Sequence, residues 1–484
     1  MFHFPWISAA IVVVLAGSAW ASRQRRAETV CKGCILVSAV ALFCSLMAWW
    51  EFSFNGNIQA ETGGPLAQWR GSGVLEMDGL SAPLIPLAAL LYLLTFTVTL
   101  RTKLRRFSFT WALISEAILL ATFATSSVWP LVTLLVVGTI PPYLELRARH
   151  KLTRVYVLYM TAFAALLIVG CAMANTGHHN EPLSGWFLAP LMLAILIRGG
   201  VAPLHSWVAD LFEHATFGTS LLFVAPMVGA YAAVRLLLPV APDSVLQGIG
   251  IVSLGSAFYA AGMALIQKEA RRFFCYLFLS HSSLVFLGLE SSSLLGLTGG
   301  LCVWLSIGLA LSGLGLTLRS LESRHGRLSL VRHQGLYDHT PALAICFLLT
   351  GLASVGFPCT FGFIGMEMLV DGAVHTYPYV GVIVVVVAAL NGIAVIQTYF
   401  RLFTGCQYHS TVPLGMGIRE RWAVLGLAVL IFAGGLFPQW SVASRYQAAE
   451  SLLNARAAEF GSPAPVHAWF ASPVLEAPLD RSRD

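Results

Sequence analysis

Long apolar runs recur from one end of this sequence to the other, and they restrict the fold more than any other feature. About fourteen runs have the length, roughly 18 to 25 residues, that an α-helix needs to cross a bilayer. Because 57% of the 484 residues are hydrophobic and only 11% are charged, a soluble fold could not bury so much apolar surface. We therefore predict an all-α, polytopic membrane protein with about 14 transmembrane helices, near residues 4–21, 33–52, 79–100, 108–126, 128–146, 155–174, 186–208, 217–239, 245–267, 274–290, 294–318, 340–370, 378–403 and 421–441.

The charges in the connecting loops predict how the chain is oriented. Arg and Lys residues cluster in every second loop, near residues 23–32, 101–106, 147–154, 268–272, 319–332 and 401–421. Such loops stay on the cytoplasmic side, so both termini are predicted to lie outside the cytoplasm of a bacterial-type inner membrane. Asp210 and Glu213 would be acidic exceptions on the cytoplasmic side, and Glu145 is predicted at the membrane interface. Since the basic residues are confined to these loops, the net charge of +6 predicts no nucleic-acid partner.

Two of the predicted spans contain residues that interrupt a helix. The interrupting residues are Gly199, Gly200 and Pro203 in one span and Gly356 and Pro358 in the other. Irregular backbone is tolerated at membrane depth only inside protein or beside water, and broken helices at corresponding positions of two halves are typical of inverted-repeat transporters. The pattern predicts N-terminal helices, two inverted repeats of about five helices each, and a last helix with a tail, over residues 1–107, 108–239, 245–403 and 404–484.

Arg198 stands directly before the first break, inside a run that is otherwise apolar. An intramembrane charge beside a helix break indicates an ion path. The alternative is a proline kink in which Arg198 lies near the interface and extends its head group to water. The tail after residue 440 also has two interpretations, a short amphipathic helix near residues 444–460 or a solvated segment.

Several short motifs, in their order and spacing, make the sequence resemble the antiporter-like membrane subunits of respiratory complex I and of Mrp-type cation antiporters. The motifs are Pro203–Trp207 with Asp210, Gln267–Tyr276, Leu297–Gly300, and Ala353–Pro358 with Gly362–Gly365. Two others are closest to the M-type subunit of complex I, namely Met77–Ser81 and Gly229–Tyr231 with Arg235 and Pro239. The family that this sequence resembles also includes membrane subunits of inorganic-carbon accumulation complexes.

The resemblance implies fourteen helices, two inverted five-helix repeats with helices 7 and 12 broken, and a chain of charged residues at mid-membrane that carries protons. Glu116 matches a family Glu, Arg198 replaces a family Lys at the first break, and Arg271 is the basic residue that opens the tenth span. Elsewhere the sequence departs from the family, because uncharged residues occupy the usual relay positions, Val136, Phe223, Met227, Ile307 and Met366, with Glu367 one place after the last.

A proton relay needs groups that release and regain a proton near neutral pH, which Arg does not do. The candidate intramembrane charges and proton-path residues are Glu116, Arg198, His205, Arg271, His281 and Glu367. For His281, a satisfied polar contact among serines is the simpler interpretation, and His205 belongs to a structural motif of the family. Glu116 and Arg198 would, on an alternative interpretation, form a buried ion pair that shapes the break without conducting.

Two functions of different classes follow. In the first, the chain is an energy-coupling subunit, in which movement of protons or Na+ drives, or is driven by, another protein subunit of a complex I-like redox complex or an inorganic-carbon (CO2) uptake complex. In the second, it is a non-conducting scaffold that docks other membrane subunits in the lipid bilayer. A stand-alone transporter is a further alternative. No catalytic site or cofactor motif stands out, and the lone pair Cys31 and Cys34 predicts no metal site.

Overall fold

The computed structural model describes residues 4–55, 59–60, 75–100, 103–104, 107–176, 185–289, 291, 293–376, 378–405 and 417–460. These residues form a helical bundle. Its first third contains α1 (Trp6–Arg23), α2 (Ala27–Asn55), α3 (Leu84–Thr97), α4 (Phe109–Phe123), α5 (Val128–Val137), α6 (Ile140–Ala148) and α7 (Arg154–Thr176). Between α2 and α3, the two-residue strands β1 (Gln59–Ala60) and β2 (Glu76–Met77) pair in antiparallel fashion.

The remaining helices include both interrupted segments. The middle of the chain forms α8 (Gly185–Gly199), α9 (Ser206–His214), α10 (Phe217–Val224), α11 (Val228–Ala232) with a π-helical turn at Ala233–Leu237, α12 (Asp243–Ile266) and α13 (Ala270–Leu289). The last part forms α14 (Leu294–His325), α15 (Pro341–Val355), α16 (Phe361–Thr376), α17 (Pro378–Phe403), α18 (Ile418–Leu436) and α19 (Pro438–Phe460).

Every predicted span falls on a helix or on a pair of interrupted helices, which confirms the all-α, polytopic architecture. Among the described residues, nine helices are long and apolar enough to cross a membrane alone, and the others are shorter or bent. The predicted number of crossings therefore stays a prediction. The helices differ in burial. In an 18-residue apolar stretch of α13, 83% of the residues are buried, whereas in the corresponding stretch of α7 only 28% are buried. Helix α13 thus lies in the core, whereas α7 presents an apolar face to lipid.

The two helix breaks are present where the sequence predicts them. Helix α8 ends at Gly199, Gly200 has a φ of +69°, and α9 begins only at Ser206 after a turn with a cis peptide bond at Ala202–Pro203. Helix α15 ends before Gly356, whose φ of +90° suits a residue without a Cβ atom. Each break therefore depends on a glycine at the first residue beyond the helix.

The backbone of the first break finds its hydrogen-bond partners inside the protein. The amide of Ala202 donates to the Ser256 hydroxyl of α12 at 2.8 Å, and the Trp207 indole donates to the Ile197 carbonyl at 2.8 Å. Unpaired backbone groups at membrane depth cost several kcal/mol, roughly, so these side chains make the interruption tolerable.

Asp210 and Glu213, the acidic residues expected on the cytoplasmic side, lie in α9 on the same side as the basic loops. Glu213 contacts Arg327 at 2.8 Å and Arg272 at 3.4 Å, and both arginines belong to predicted basic loops. Burial alone would raise the pKa of the Glu213 carboxyl, but Arg327 and Arg272 outweigh burial and hold this pKa below its usual value. Asp210 contacts His214 one turn further along α9 at 3.2 Å. Glu213 is therefore neutralised by arginines of the basic loops, whereas Asp210 has His214 as its side-chain contact.

The expectation that Arg319 lies in a loop is wrong. Arg319, assigned to a basic loop, lies within α14 and is buried, and it donates to the Thr95 carbonyl at 2.9 Å and the Thr99 hydroxyl at 2.8 Å. Glu145 is buried in the protein, at 3% exposure, and its location at the membrane interface stays a prediction. Tertiary contacts from distant helices cover both side chains, and the local sequence does not reveal such contacts.

The tail forms the helical alternative, not the solvated one. Helix α19 packs on α14, and its Arg445 is 1% exposed and donates to the backbone carbonyls of Gly79 at 2.6 Å and Leu80 at 3.4 Å. Arg456 contacts Asp243 at 2.6 Å. Two arginines thus attach α19 to the segments that precede α3 and α12.

We expect Arg445→Ala to lower the free energy of unfolding by about 2 kcal/mol, because two buried carbonyls lose a charged donor. Thermal unfolding in detergent measures the change. Arg332→Ala, at an exposed position, is the control and should have almost no effect. Equal melting temperatures for the two variants would contradict the assigned role of Arg445.

Candidate functional site

Arg198 ends α8 in the interior of the protein, not at its surface. The side chain is 7% exposed, and its guanidinium lies over the Phe223 ring at 4.1 Å and over the Trp207 ring at 5.7 Å. Its Nη2 donates to the Phe223 carbonyl at 3.4 Å, while Nε has no hydrogen-bond partner. The aromatic faces stabilise the cation. The alternative in which Arg198 extends to water at the interface is therefore wrong.

Two small cavities adjoin the Arg198 guanidinium. The first has a volume of about 30 Å³ and lies between α3, α4, α5 and α10, with the polar groups of Tyr92, Ser115 and Thr122 in its wall. The second has a volume of about 10 Å³ and extends towards Ser282 of α13. A water molecule needs roughly 10 to 15 Å³ and two or more polar partners, so the first cavity can hold water beside the cation.

Glu116 lies in α4 and is fully buried. Its Oε2 accepts a hydrogen bond from the Ser38 hydroxyl of α2 at 2.6 Å, while Oε1 has no partner. Among the described carboxylates, including Glu116, none lies within 4 Å of Arg198. The interpretation of Glu116 and Arg198 as a buried ion pair is therefore wrong, and each group is separately buried.

His281 connects the core helix α13 to the second break. Its Nδ1 is 2.8 Å from the Leu277 carbonyl, and the ring also interacts with the backbone of Ser354, in the last turn of α15. A neutral imidazole carries one N–H, so it donates to one of these two carbonyls. Carbonyls in the last turn of a helix lack partners within the helix, so His281 supplies one. The ring is 2% exposed. This geometry agrees with the interpretation of His281 as a satisfied polar contact at a helix end.

His205 and Arg271 lie away from the Arg198 cavities. The His205 ring packs against Tyr259 and Tyr276, with centroid distances of 5.4 and 6.0 Å, at the residue before α9. Arg271 forms an ion pair with Glu322 and donates to the carbonyls of Phe212 at 2.8 Å and Ala215 at 3.0 Å. Arg271 therefore joins three segments on the side of the basic loops.

Glu367 differs from the other candidates because its side chain is exposed. It lies in α16, and the apolar side chains of Phe363 and Val374 on the same helix are 39% and 40% exposed. A carboxylate on a face that is otherwise suited to lipid is costly in hydrocarbon. The structure thus leaves Glu367 outside the chain's own polar interior.

Asp78 and Arg235 belong to two different sequence motifs that lie far apart in the chain. In the structure, the two side chains form an ion pair. The distance between Arg235 Nη1 and Asp78 Oδ2 is 2.7 Å, and Arg235 Nε donates to the Tyr231 hydroxyl at 3.1 Å. Burial alone would raise the pKa of Asp78, but Arg235 and hydrogen bonds from Ser81 outweigh it and lower this pKa. The two motifs therefore form one structural contact between the segment before α3 and the end of α11.

Comparisons with known proteins agree with this architecture. The model of a family described as NADH:quinone oxidoreductase/Mrp antiporter, TM, matches residues 153–391. NADH-quinone oxidoreductase subunit 13 of Thermus thermophilus is 28% identical over 57% of this chain and 59% of its own length. NAD(P)H-quinone oxidoreductase chain 4 2 of Thermosynechococcus vestitus is 26% identical over 90% of each chain. Residues 153–391 of this chain therefore match the family of antiporter-like membrane subunits.

Solved structures show the fold of these antiporter-like subunits. A chain of respiratory complex I from Thermus thermophilus with bound NADH has a TM-score of 0.81 at 23% identity and covers 93% of this chain and 99% of itself. A chain of the Mrp complex from Dietzia has a TM-score of 0.81 at 18% identity and covers 94% and 99%. The shared fold extends well beyond the residues that the family model matches, whereas the first curated relatives match over only about half to three-fifths of their length.

The uncharged residues at the positions where the resemblance implies a relay have a packing role in this chain. Phe223 supplies the ring under Arg198, and Met227 lines the smaller cavity. Ile307 is 1% exposed, while Val136 and Met366 are partly buried. Apolar side chains at these places add no group that exchanges protons, so the titratable groups near the Arg198 cavities come from elsewhere.

Several polar residues near the site were missed at the sequence level. Asn391 of α17 donates to the Ser280 hydroxyl at 2.9 Å, and its Oδ1 has no partner. Tyr92 of α3 donates to the Ser115 hydroxyl of α4 at 2.8 Å. A lone amide or phenol inside an apolar run was the available signal, because such groups need a partner in the membrane. The sequence could not indicate which partner each one finds.

We expect His281→Leu to lower the free energy of unfolding by about 2 kcal/mol, because a buried backbone carbonyl, that of Leu277 or that of Ser354, loses its donor. His281→Gln retains an amide donor and should lose less. Thermal unfolding in detergent compares both with the exposed-site control His150→Asn, which suits the positive φ of that residue. If His281→Leu melts with the control, His281 does not stabilise the second break.

Proposed function

We propose that this chain is a proton-translocating, energy-coupling membrane subunit of a larger complex. The observation that carries the proposal is the separate burial of Glu116 and Arg198. Glu116 has an oxygen without a partner, and Arg198 has no carboxylate beside it within the described residues. A scaffold gains nothing from unpaired ionisable groups in the membrane, where they are expensive to keep. The absence of an ion pair thus favours conduction over the non-conducting alternative.

A role for water in this path is supported by the cavities beside Arg198. Arg retains its proton, so it acts as a fixed positive charge and not as a carrier. A fixed cation beside water lowers the free energy of a carboxylate or hydroxide nearby and orients the water dipoles. Proton exchange would then involve Glu116 and bound water, and Arg198 would supply the fixed positive charge. Na+ in place of protons remains the second candidate ion.

The exposed Glu367 supports a partner subunit in the membrane. A carboxylate in the middle of α16 is unfavourable against lipid, and a basic or hydrogen-bonding group of an adjacent membrane subunit would neutralise it. Chains with this fold occur in respiratory complex I from Thermus thermophilus and in the Mrp complex from Dietzia. We propose that this chain also works in such an assembly, with the basic loops in the cytoplasm and both termini outside.

Two settings remain for the partner. One is a redox complex related to complex I, as the names of the relatives suggest. The other is an inorganic-carbon uptake complex, in which a partner protein hydrates CO2 at the expense of the proton gradient. Purification of the tagged chain in mild detergent, with mass spectrometry of the copurifying proteins, separates them. Flavin or iron–sulfur subunits support the first setting, and a zinc protein of the carbonic-anhydrase type supports the second.

We expect Glu367→Gln to weaken copurification of an integral membrane partner without altering the melting temperature of the chain itself. The physical reason is that the amide lacks the charge with which a basic partner group pairs. Quantitative mass spectrometry of the purified complex measures the partner ratio, and Glu450→Gln on the exposed side of α19 is the control. An unchanged ratio would show that Glu367 does not contact the partner by its charge.

We expect Glu116→Gln to reduce proton movement through the reconstituted complex by roughly tenfold or more, because an amide cannot exchange a proton as a carboxyl does. A pH-sensitive dye inside proteoliposomes records the flux, and Glu450→Gln again serves as the control. Full flux through Glu116→Gln in an intact complex would refute the conducting role of Glu116 and favour the scaffold.

A further inference from the structure

An open cavity on the side of the basic loops ends at Glu145. It has a volume of about 420 Å³, and its wall includes the polar side chains of Gln24, Arg25 and Arg149. Glu145 forms part of this wall although it is only 3% exposed. The cavity therefore brings water from the loop side to a carboxylate at the end of α6.

Two smaller cavities continue from Glu145 to Arg198. The first, of about 10 Å³, is lined by Glu145 and Thr219 at one end and by Tyr92 and Ser115 at the other. The second, of about 30 Å³, shares Tyr92 and Ser115 with it and is lined by Arg198. Volumes of this size correspond to single water molecules. The three cavities form a series in which each shares wall residues with the next.

The polar groups along this series suit the transfer of a proton through water. Glu145 accepts hydrogen bonds from the Thr219 hydroxyl and, at 3.2 Å, from the Thr216 amide, and Arg149 lies 3.7 Å from the same carboxylate. Further in, the Tyr92 hydroxyl donates to Ser115. The Ser115 hydroxyl is left with a proton of its own to offer to water in the cavity.

We propose that Glu145 is the proton-exchanging group at the entrance of a water path from the basic-loop side to Arg198. The inference rests on the proposed function. Glu145 is not one of the positions at which the resemblance implies a relay group. It lies nine residues after Val136, the apolar residue at such a position. A proton from water in the open cavity binds to the Glu145 carboxylate, and the carboxyl returns it to water on the inner side.

A purely structural role for Glu145 is the competing explanation. Thr216 is the residue that precedes α10, and the Glu145 carboxylate accepts hydrogen bonds from its amide and from Thr219 in the first turn. A carboxylate at a helix N-terminus stabilises the helix through these bonds and through the helix dipole. In glutamine, the carbonyl oxygen can accept the Thr216 amide and the side-chain NH2 group can donate to the Thr219 hydroxyl oxygen, so both contacts are kept. The amide does not exchange a proton with water near neutral pH. Glu145→Gln therefore separates the two roles.

The experiment compares proton flux and melting temperature in the reconstituted complex. We expect Glu145→Gln to lower the flux roughly tenfold or more and to leave the melting temperature close to that of the unchanged protein. Glu269→Gln is the matched control, because this exposed carboxylate lies in the loop between α12 and α13 and lines none of the three cavities. It should retain full flux.

A second variant tests the path if Glu145→Gln does not fold. Ser115→Val removes the hydroxyl and places a methyl group in the cavity wall, so it should also lower the flux. Full flux in a folded Glu145→Gln or in Ser115→Val overturns the inference. If Glu116→Gln lowers the flux while these variants retain it, only the entry route is wrong. If all three retain full flux, the proposed function fails as well.

Discussion

The need to satisfy backbone hydrogen bonds at membrane depth governs the arrangement around the site. A break after Gly199 releases amides and carbonyls that lipid cannot bind, so the break must be surrounded by protein. Helices α12 and α9 meet this need through the Ser256 hydroxyl and the Trp207 indole. The same packing brings Trp207 and Phe223 over Arg198. The position of the buried cation thus follows from the way in which the break is stabilised.

The buried arginines fall into two groups according to what surrounds them. Arg319 and Arg445 donate to backbone carbonyls of other helices, which fixes the guanidinium group and joins distant parts of the chain. Arg198 has aromatic faces, one long hydrogen bond and two cavities instead. A guanidinium in the first kind of site is held by the fold, because its donors are used. The Arg198 site leaves donor capacity for water or for a transient negative charge, and this difference distinguishes a candidate functional charge from a structural one.

The sequence predicts the elements of this fold better than their contacts. Apolar runs reveal the helices, and Gly200 and Gly356 reveal the breaks, because both signals are local. The burial of Arg319 and Glu145 depends on contacts with distant segments and not on the local sequence. Arg319 sits at the basic end of a long helix but is covered by α3 and Phe107, and Glu145 is covered by α10. Likewise the partner of Glu116 is Ser38 of α2, which spacing along the chain does not indicate.

The replacement of a titratable side chain by Arg at position 198 constrains any mechanism for this chain. A lysine in a dry site can give up its proton, whereas a guanidinium keeps it, so a path through the Arg198 site would carry a constant charge at its centre. Under a constant positive charge, an excess proton is repelled from the cavity and a carboxylate or a water oxygen is attracted to it. Proton passage then requires acceptors on either side of the barrier, close enough for water to connect them. The Glu145 carboxylate lines the cavities on the loop side of Arg198 and can serve as one such acceptor, whereas a relay made of cationic groups alone could not supply one.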